Sequence, residues 1–435
     1  MDFSNIDLEK LQQIQTEYRR TIHMYPENAW TEFRTTSLII DKLEEFGIPY
    51  MYGKDVHTKG ERYGLPSEEY FEMCYKRAVE EGADPGRVEK MKGGYTGVIG
   101  ILETGRPGPK TALRFDIDCI DAIETQDPEH VPNKEGFASK HQNLFHGCGH
   151  DAHNAIGIGV AYILKQNLDK LCGTILLVFQ PGEEGLRGGN SMADSGLFED
   201  VDYIFAGHVG GKPMGVIVTG ASGFAISQKF DLHFDGVPGH AGASPEVGHN
   251  ALLAAANAAI NIMSISRTSQ GFTRVNVGTL NAGTGRNVIP SVADMKCEVR
   301  GETQEACDYM AKRLLEVAEG AAKMYDCGFS YKIVGKASGA TCDEELNKIT
   351  EEAAKMTDGV ISIIPAGTGK GGGSEDFTTL MHKVQEHGGK ATFFMIASNS
   401  AYPNHHDHFD IDERCLGLGS KVFCNMVDII NGIKA

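Results

Sequence analysis

Gly173-Thr174-Ile175-Leu176-Leu177-Val178-Phe179-Gln180-Pro181-Gly182-Glu183-Glu184-Gly185 passes from an apolar run straight into a proline-glycine turn that carries two adjacent acids. The run reads as a strand and the turn places Glu183 and Glu184 at its carboxyl end. Working outward, Gly97 to Leu102, Thr111 to Ile117 and Asp202 to Ala206 are similar short runs, and a helical pattern covers about Asp151 to Gln166. Alternation of this kind predicts an α/β layered domain. In open α/β sheets ligands gather at the carboxyl ends of strands. Asp116, Asp118, the Glu183-Glu184 pair and His208 all follow apolar runs, which points to one shared site.

Toward the N-terminus, Leu8, Leu11, Ile14, Tyr18 and Ile22 recur at helical spacing, and Thr31 to Phe46 forms a second amphipathic helix stopped by Gly47. Residues 51–95 are polar, with one helix expected near Ser67 to Glu81, and read as an insertion. Past Thr219 the pattern changes to longer alternating strands: Ala225 to Phe234, Phe272 to Leu280 and Ala293 to Arg300, with helices near Asn250 to Ser264 and Thr303 to Lys323. Strand, helix, strand, strand, helix, strand is the order of a ferredoxin-like α+β module. The expected architecture is therefore an α/β catalytic domain with a mixed sheet, residues 1–221 and 336–435, interrupted by a smaller ferredoxin-like module at 222–335.

The 435 residues exceed what one core usually supports. Hydrophobic residues at 41% and charged ones at 23% are ordinary for a globular enzyme, and no apolar stretch approaches the roughly 20 residues of a membrane span. A formal net charge of −18 opposes nonspecific binding to nucleic acid or anionic membrane. The first residues lack a basic region followed by an apolar segment, so a cytoplasmic location is expected. The ten cysteines show no CxxC pair, which fits reduced thiols. It also argues, with the lack of a glycine-rich dinucleotide fingerprint, against redox enzymology.

His146-Gly147-Cys148-Gly149-His150-Asp151-Ala152-His153 brings a thiol and an imidazole two positions apart between glycines. Residues two apart diverge on a helix, so both are expected on a turn before the helix that starts near Asp151. In isolation such a CxH is more often a buried thiol beside a polar histidine. Three more donor segments reverse that weighting: Glu183-Glu184, His208, and the cluster His405-His406-Asp407-His408. Soft and hard donors from four segments suit a metal-assisted hydrolase, in which one carboxylate holds metal and another takes the proton of the attacking water. His153, three residues past His150, is expected as a supporting partner rather than a ligand. Asp116 and Asp118 alternate along a strand, and either could fix the tautomer of a ligand histidine.

Together HGCGHDAHNAIGIG (146–159), FQPGEEG (179–185), AGHVG (206–210), GHAGASPEVGHNALLAAA (239–256), GRNVIP (285–290), GSEDF (373–377) and HHDHFDIDE (405–413) resemble the amidohydrolase branch of the aminoacylase and carboxypeptidase family of dinuclear metallopeptidases. The likeness covers almost the whole chain. It implies two divalent ions, manganese or zinc, held by Cys148, His150, Glu184, His208 and His405, with Glu183 as general base. It further implies that His240 reaches across a homodimer to stabilise the oxyanion and that Asn287 binds the substrate carboxylate. Arg286 and Arg300 are the weaker candidates for a second negative charge. The segments Tyr63 to Pro66 and Gly93 to Gly97, with Glu32-Phe33-Arg34-Thr35, point within the family to p-aminobenzoyl-glutamate as substrate. They also point, for a possible partner, to a related second subunit. The alternatives are another N-acyl amino acid (hippurate, indole-acetyl-aspartate or an N-acetyl compound) and a metal-bound subunit without activity of its own.

Overall fold

The computed structural model describes residues 1–221, 223–365, 367 and 373–433. The chain divides into a large unit, residues 1–222, 340–371 and 376–435, and a small unit, residues 223–339 and 372–375. The second junction lies later than the expected 335, because the last strand of the small unit stays paired through Ala337.

The large unit is built on a mixed eight-stranded sheet. In chain order its strands are β1 (Tyr50–Tyr52), β2 (Val98–Glu103), β3 (Lys110–Asp116), β4 (Thr174–Gln180), β5 (Tyr203–Val209) and β6 (Val216–Val218). The small unit supplies β7 (Ile226–Asp235), β8 (Thr273–Ala282), β9 (Val292–Gly301) and β10 (Gly328–Ala337), and β11 (Ser362–Ile364) and β12 (Lys390–Ile396) return to the large sheet. The large sheet runs β1-β2-β4-β3-β5-β12-β6-β11. Strands β4, β3, β5 and β12 are mutually parallel, which aligns their carboxyl ends along one edge. On the sheet lies the helix His150–Gln166, buried on nearly every side between β3 and the helices Leu8–Met24 and Arg414–Asn431. Beyond its polar first turns, where His150, Asp151, His153 and Asn154 are buried, a helix enclosed in this way is apolar on its several faces, through Ala155, Ile156, Ile158, Val160, Ile163 and Leu164. Phe115 and Phe179 meet beneath it, with ring centroids 5.6 Å apart. Deleting one such buried ring costs about 3–5 kcal/mol.

Residues 51–95 prove more structured than a polar excursion. They hold the helices Glu68–Glu80 and Pro85–Met91, whose Phe71, Cys74, Tyr75, Ala78, Val88 and Met91 enclose Trp30 and Phe33 in a separate core. Trp30 adopts a left-handed backbone, φ 72°, while fully buried, and its Nε1 donates to Tyr63 O at 2.8 Å.

The small unit has the antiparallel sheet order β10-β7-β9-β8, with helices Ala251–Met263 and Gln304–Met324. This is the ferredoxin-like topology expected from the strand and helix order. Alternation along β9, with Ala293, Met295, Cys297 and Val299 buried, turns one face to those helices.

Candidate metal centre

Cys148 and His150 leave the turn before the long helix, but His150 is already its first residue. Gly149 makes the approach possible: its φ is +87°, and a Cβ there would lie 2.6 Å from Val209 Cγ2. His208 lies inside β5 rather than after it, one residue from the strand end. Glu183 and Glu184 occupy the turn after β4, closed by the Leu186 and Gly188 amides on Glu183 O and Gly182 O at 2.7 and 2.8 Å. His405 arrives from a loop with a left-handed backbone, φ 69°, and its amide donates to Gly147 O at 2.7 Å. A non-glycine residue held at positive φ marks a position over-determined by its surroundings.

The structure brings these residues together. The donor atoms of Cys148, His150 and His208 lie within 4.8 Å of one another, as do those of Cys148, Glu184 and His405, and those of His150, Glu183 and Glu184. Cys148 Sγ is 3.5 Å from His208 Nε2, and His405 Nε2 is 3.1 Å from Glu184 Oε1. His150 Nε2 is buried without a hydrogen bond, and the buried Glu184 Oε1 has only the His405 ring beside it. Buried polar atoms of that kind are costly unless something else satisfies them. A cation fits both, so the residues present suit a divalent metal.

The imidazoles of His150 and His208 are oriented from their far sides. His150 Nδ1 meets Asp118 O at 3.0 Å and Asp118 Oδ1 at 3.2 Å, while Asp118 Oδ2 accepts the Glu184 amide at 2.8 Å. His208 Nδ1 donates to Val209 O at 2.7 Å, leaving Nε2 toward Cys148. His153 has both nitrogens occupied, Nδ1 by Asp116 Oδ1 and Nε2 by the Val209 amide at 2.8 Å, so no lone pair is left for a metal. β3 ends at Asp116, so strand alternation does not carry Asp118; both acids nevertheless face His150, with Asp116 Oδ2 3.8 Å from its Nε2.

The charges follow from this enclosure. Burial and the Glu184 carboxylate push the Cys148 thiol up, but the His150 and His208 imidazoles outweigh them and hold it well below the usual thiol range. Burial opposes protonation of His208, yet the Cys148 thiolate raises it to about 9. Hydrogen bonding to Cys148 and Glu184 raises His405 to about 10. Protons thus bridge a set of anionic and imidazole donors that a divalent cation would bridge by displacing them.

Several supporting residues escape sequence reasoning. Asp376 is buried and joins Arg114 at 3.1 Å, Gln180 at 2.7 Å and the Gly189 amide at 2.7 Å, and Arg114 in turn holds Asp116 at 2.5 Å. Asn404 donates to Cys148 O at 3.0 Å. Its place beside His405 and the place of Asp376 in GSEDF are the available signals. His406 and His408 stay outside the donor groups of Cys148 and cluster with Asp407 instead.

The remaining candidates belong to the small unit. His240 is exposed; its Nδ1 accepts the Gly242 and Ala243 amides at 3.2 and 3.0 Å, which puts the ring proton on Nε2 as an outward donor. Asn287 lies beside it, its carbonyl accepting the Ala241 amide at 3.1 Å, and Arg286 and Asn287 are exposed. Arg300 is half-buried and engages Glu298 at 3.2 Å on its own strand.

Residues 112–428 match the model of peptidase family M20/M25/M40. The chain is 42% identical to indole-3-acetyl-aspartic acid hydrolase of Enterobacter agglomerans, over 93% of this chain and 92% of that one. It is 41% identical to one of the subunits of p-aminobenzoyl-glutamate hydrolase from Escherichia coli K12, with the same coverage of 93% and 92%. Among solved structures it resembles the aminobenzoyl-glutamate utilization protein of Klebsiella pneumoniae, with TM-score 0.82 and 36% identity over 97% of this chain and 96% of that one. It also resembles the Bacillus subtilis YXEP protein, described as a dinuclear metal binding peptidase of the M20 family, with TM-score 0.66 and 25% identity over 97% and 99%. With its donor set in place on this fold, the chain belongs to peptidase family M20/M25/M40 and is a metal-dependent hydrolase.

Proposed function

We propose that this enzyme hydrolyses the amide bond of an N-acyl acidic amino acid, with p-aminobenzoyl-glutamate, giving p-aminobenzoate and glutamate, as the leading substrate. The observation that carries the reading is the convergence of Cys148, His150, Glu184, His208 and His405 with Glu183 beside them, in a chain about equally similar to two hydrolases of such compounds. That near-equality favours indole-3-acetyl-aspartate as the second reading.

In the proposed reaction those five residues hold two divalent ions, manganese or zinc. When bound, the ions act as Lewis acid toward the carbonyl and lower the pKa of water from about 15.7 toward about 7. Glu183, buried and 3.9 Å from His150 Nε2, takes the proton of the attacking water and returns it to the leaving nitrogen. His240 Nε2 donates to the oxyanion in the site of a partner copy, and Asn287 holds the substrate carboxylate. A homodimer through the small unit is supported by its β8 edge, unpaired on one side and flanked by exposed Phe272, Leu280, Ile260 and Met263. A related second subunit is a further possible partner. No helix among the described residues is long and apolar enough to cross a membrane, and the ten cysteines are free, which supports a reducing cytoplasm.

The test is metal analysis of the purified chain followed by assay with manganese or zinc against p-aminobenzoyl-glutamate, indole-3-acetyl-aspartate, hippurate and N-acetyl-glutamate. Two ions per chain and the highest kcat/KM on p-aminobenzoyl-glutamate are expected. A fully loaded but inert homo-oligomer would sink the reading and favour a subunit that needs a partner chain.

A further inference from the structure

Arg187 stands three residues past Glu184, in the same closed turn. Its amide donates to Gly182 O at 3.1 Å. Its side chain folds back over Gly185, so closely that a Cβ on that glycine, whose φ is +91°, would lie 2.6 Å from Arg187 Nε. That Nε is buried and has no hydrogen-bond partner, while Nη1 reaches only the Gly64 carbonyl at 3.3 Å. No carboxylate among the described residues pairs with this guanidinium, in a chain with 59 acidic and 41 basic residues. Two other buried arginines of the large unit are matched by carboxylates, Arg114 by Asp116 and Asp376, and Arg19 by Asp151, Asp410 and Glu413, while the buried Arg34 pairs with no carboxylate among the described residues but lies 4.3 Å over the Tyr25 ring and donates to Glu81 O at 3.0 Å.

The surroundings of Arg187 are fixed from both sides. Glu32 accepts the Gly182 amide at 2.8 Å, which holds the start of the turn. The segment around Gly64 is tied down by the Thr58 amide on Ser191 O at 2.8 Å, by His57 Nδ1 and Ser191 Oγ at 2.9 Å, and by Trp30 Nε1 on Tyr63 O. Arg187 therefore occupies a built position between the turn of Glu183-Glu184 and the inserted segment. A partly buried cation without a counter-charge is expensive unless an anion arrives.

We infer that Arg187 binds the side-chain carboxylate of an acidic amino acid in the substrate, an inference that rests on the amidohydrolase reading above. The two relatives at 42% and 41% identity are named for an aspartic acid and a glutamate conjugate, and both compounds carry a second carboxylate. A planar guanidinium accepts such a group through two parallel hydrogen bonds. It also offsets the repulsion that Glu183 and Glu184 would impose on a dianion.

The experiment compares p-aminobenzoyl-glutamate with p-aminobenzoyl-glutamine, which share the aryl group and the bond cleaved. Wild-type enzyme should prefer the glutamate compound in kcat/KM, and Arg187→Gln should lower that preference by about 10- to 100-fold, mainly through KM. An unchanged preference in Arg187→Gln overturns the inference. If the variant does not fold, phenylglyoxal labelling of the wild type mapped by mass spectrometry reads the same contact. Free glutamate, but not glutamine, should protect Arg187, and equal labelling with either overturns it. Failure of the wild type to cleave either compound, with Arg187 still protected by glutamate, would instead count against the amide-hydrolysis reading.

Discussion

In the large unit His150 is buried, its Nδ1 fixed by Asp118 and its Nε2 left bare among acids, while in the small unit His240 is exposed, with Nδ1 fixed by two backbone amides and Nε2 turned outward. Both rings have one nitrogen committed and one offered. The difference is what is offered: His150 presents a lone pair in a dry, anionic enclosure that suits a cation, and His240 presents an N–H at a surface that suits an oxyanion. In the proposed reaction, one unit thus prepares the ground state of a metal centre, and the other supplies a donor whose value appears only when substrate charge develops.

The comparison breaks first at Glu183. Glu183→Gln should lower kcat by about 100- to 10,000-fold while metal content by mass spectrometry stays at the wild-type level. Loss of metal along with activity would make Glu183 a ligand rather than a base. Next comes His240→Ala, expected to lower kcat by about 100- to 1,000-fold with little change in KM. Mixing Glu183→Gln chains with His240→Ala chains sharpens this, because a mixed dimer regains one intact site only if His240 acts on the partner. Mixtures that stay inert would place both residues in one chain's site.

The same contrast explains what the sequence made legible. β4 and its Glu183-Glu184 turn, and the strand order of the small unit, were readable because each run is long enough to carry its own apolar pattern. β6 and β11, three residues each, carry no such pattern and passed unseen. The core around Trp30 was hidden for a different reason: Ala29, Trp30 and Phe33 come from one segment and the rest from a stretch whose other residues are mostly polar, so neither part looks like a core alone. In the site, donors announced themselves by residue type. The Asp376, Arg114 and Asp116 chain did not, since Arg114 and Asp376 are separated by 262 residues and only folding makes them neighbours.

That supporting layer is where the third effect is expected. Asp118 uses one carboxylate oxygen on His150 Nδ1 and the other on the Glu184 amide. Asp118→Asn leaves a single accepting side-chain oxygen for the two contacts, so either the Glu184 amide loses its acceptor or His150 Nδ1 keeps only the Asp118 backbone carbonyl. Metal affinity measured by competition with a chelator should fall by about 10- to 100-fold. Unchanged affinity would mean that the turn geometry alone positions His150 and Glu184.

The smallest effect separates the two units at their arginines. Arg300 is half-buried on β9 and its guanidinium engages Glu298 two residues away. A partly exposed pair of this kind is worth about 0.2–1 kcal/mol. The Arg300–Glu298 coupling, read by a double-mutant cycle in denaturant unfolding, should therefore stay below about 1 kcal/mol, and Arg300→Gln should leave KM for p-aminobenzoyl-glutamate near the wild-type value. Arg187→Gln should do the reverse, raising KM while its own stability cost stays small, because the wild-type guanidinium has no internal ion pair to lose. If Arg300→Gln raises KM and Arg187→Gln does not, the second negative charge of the substrate is read by the small unit. The large unit would then supply chemistry alone.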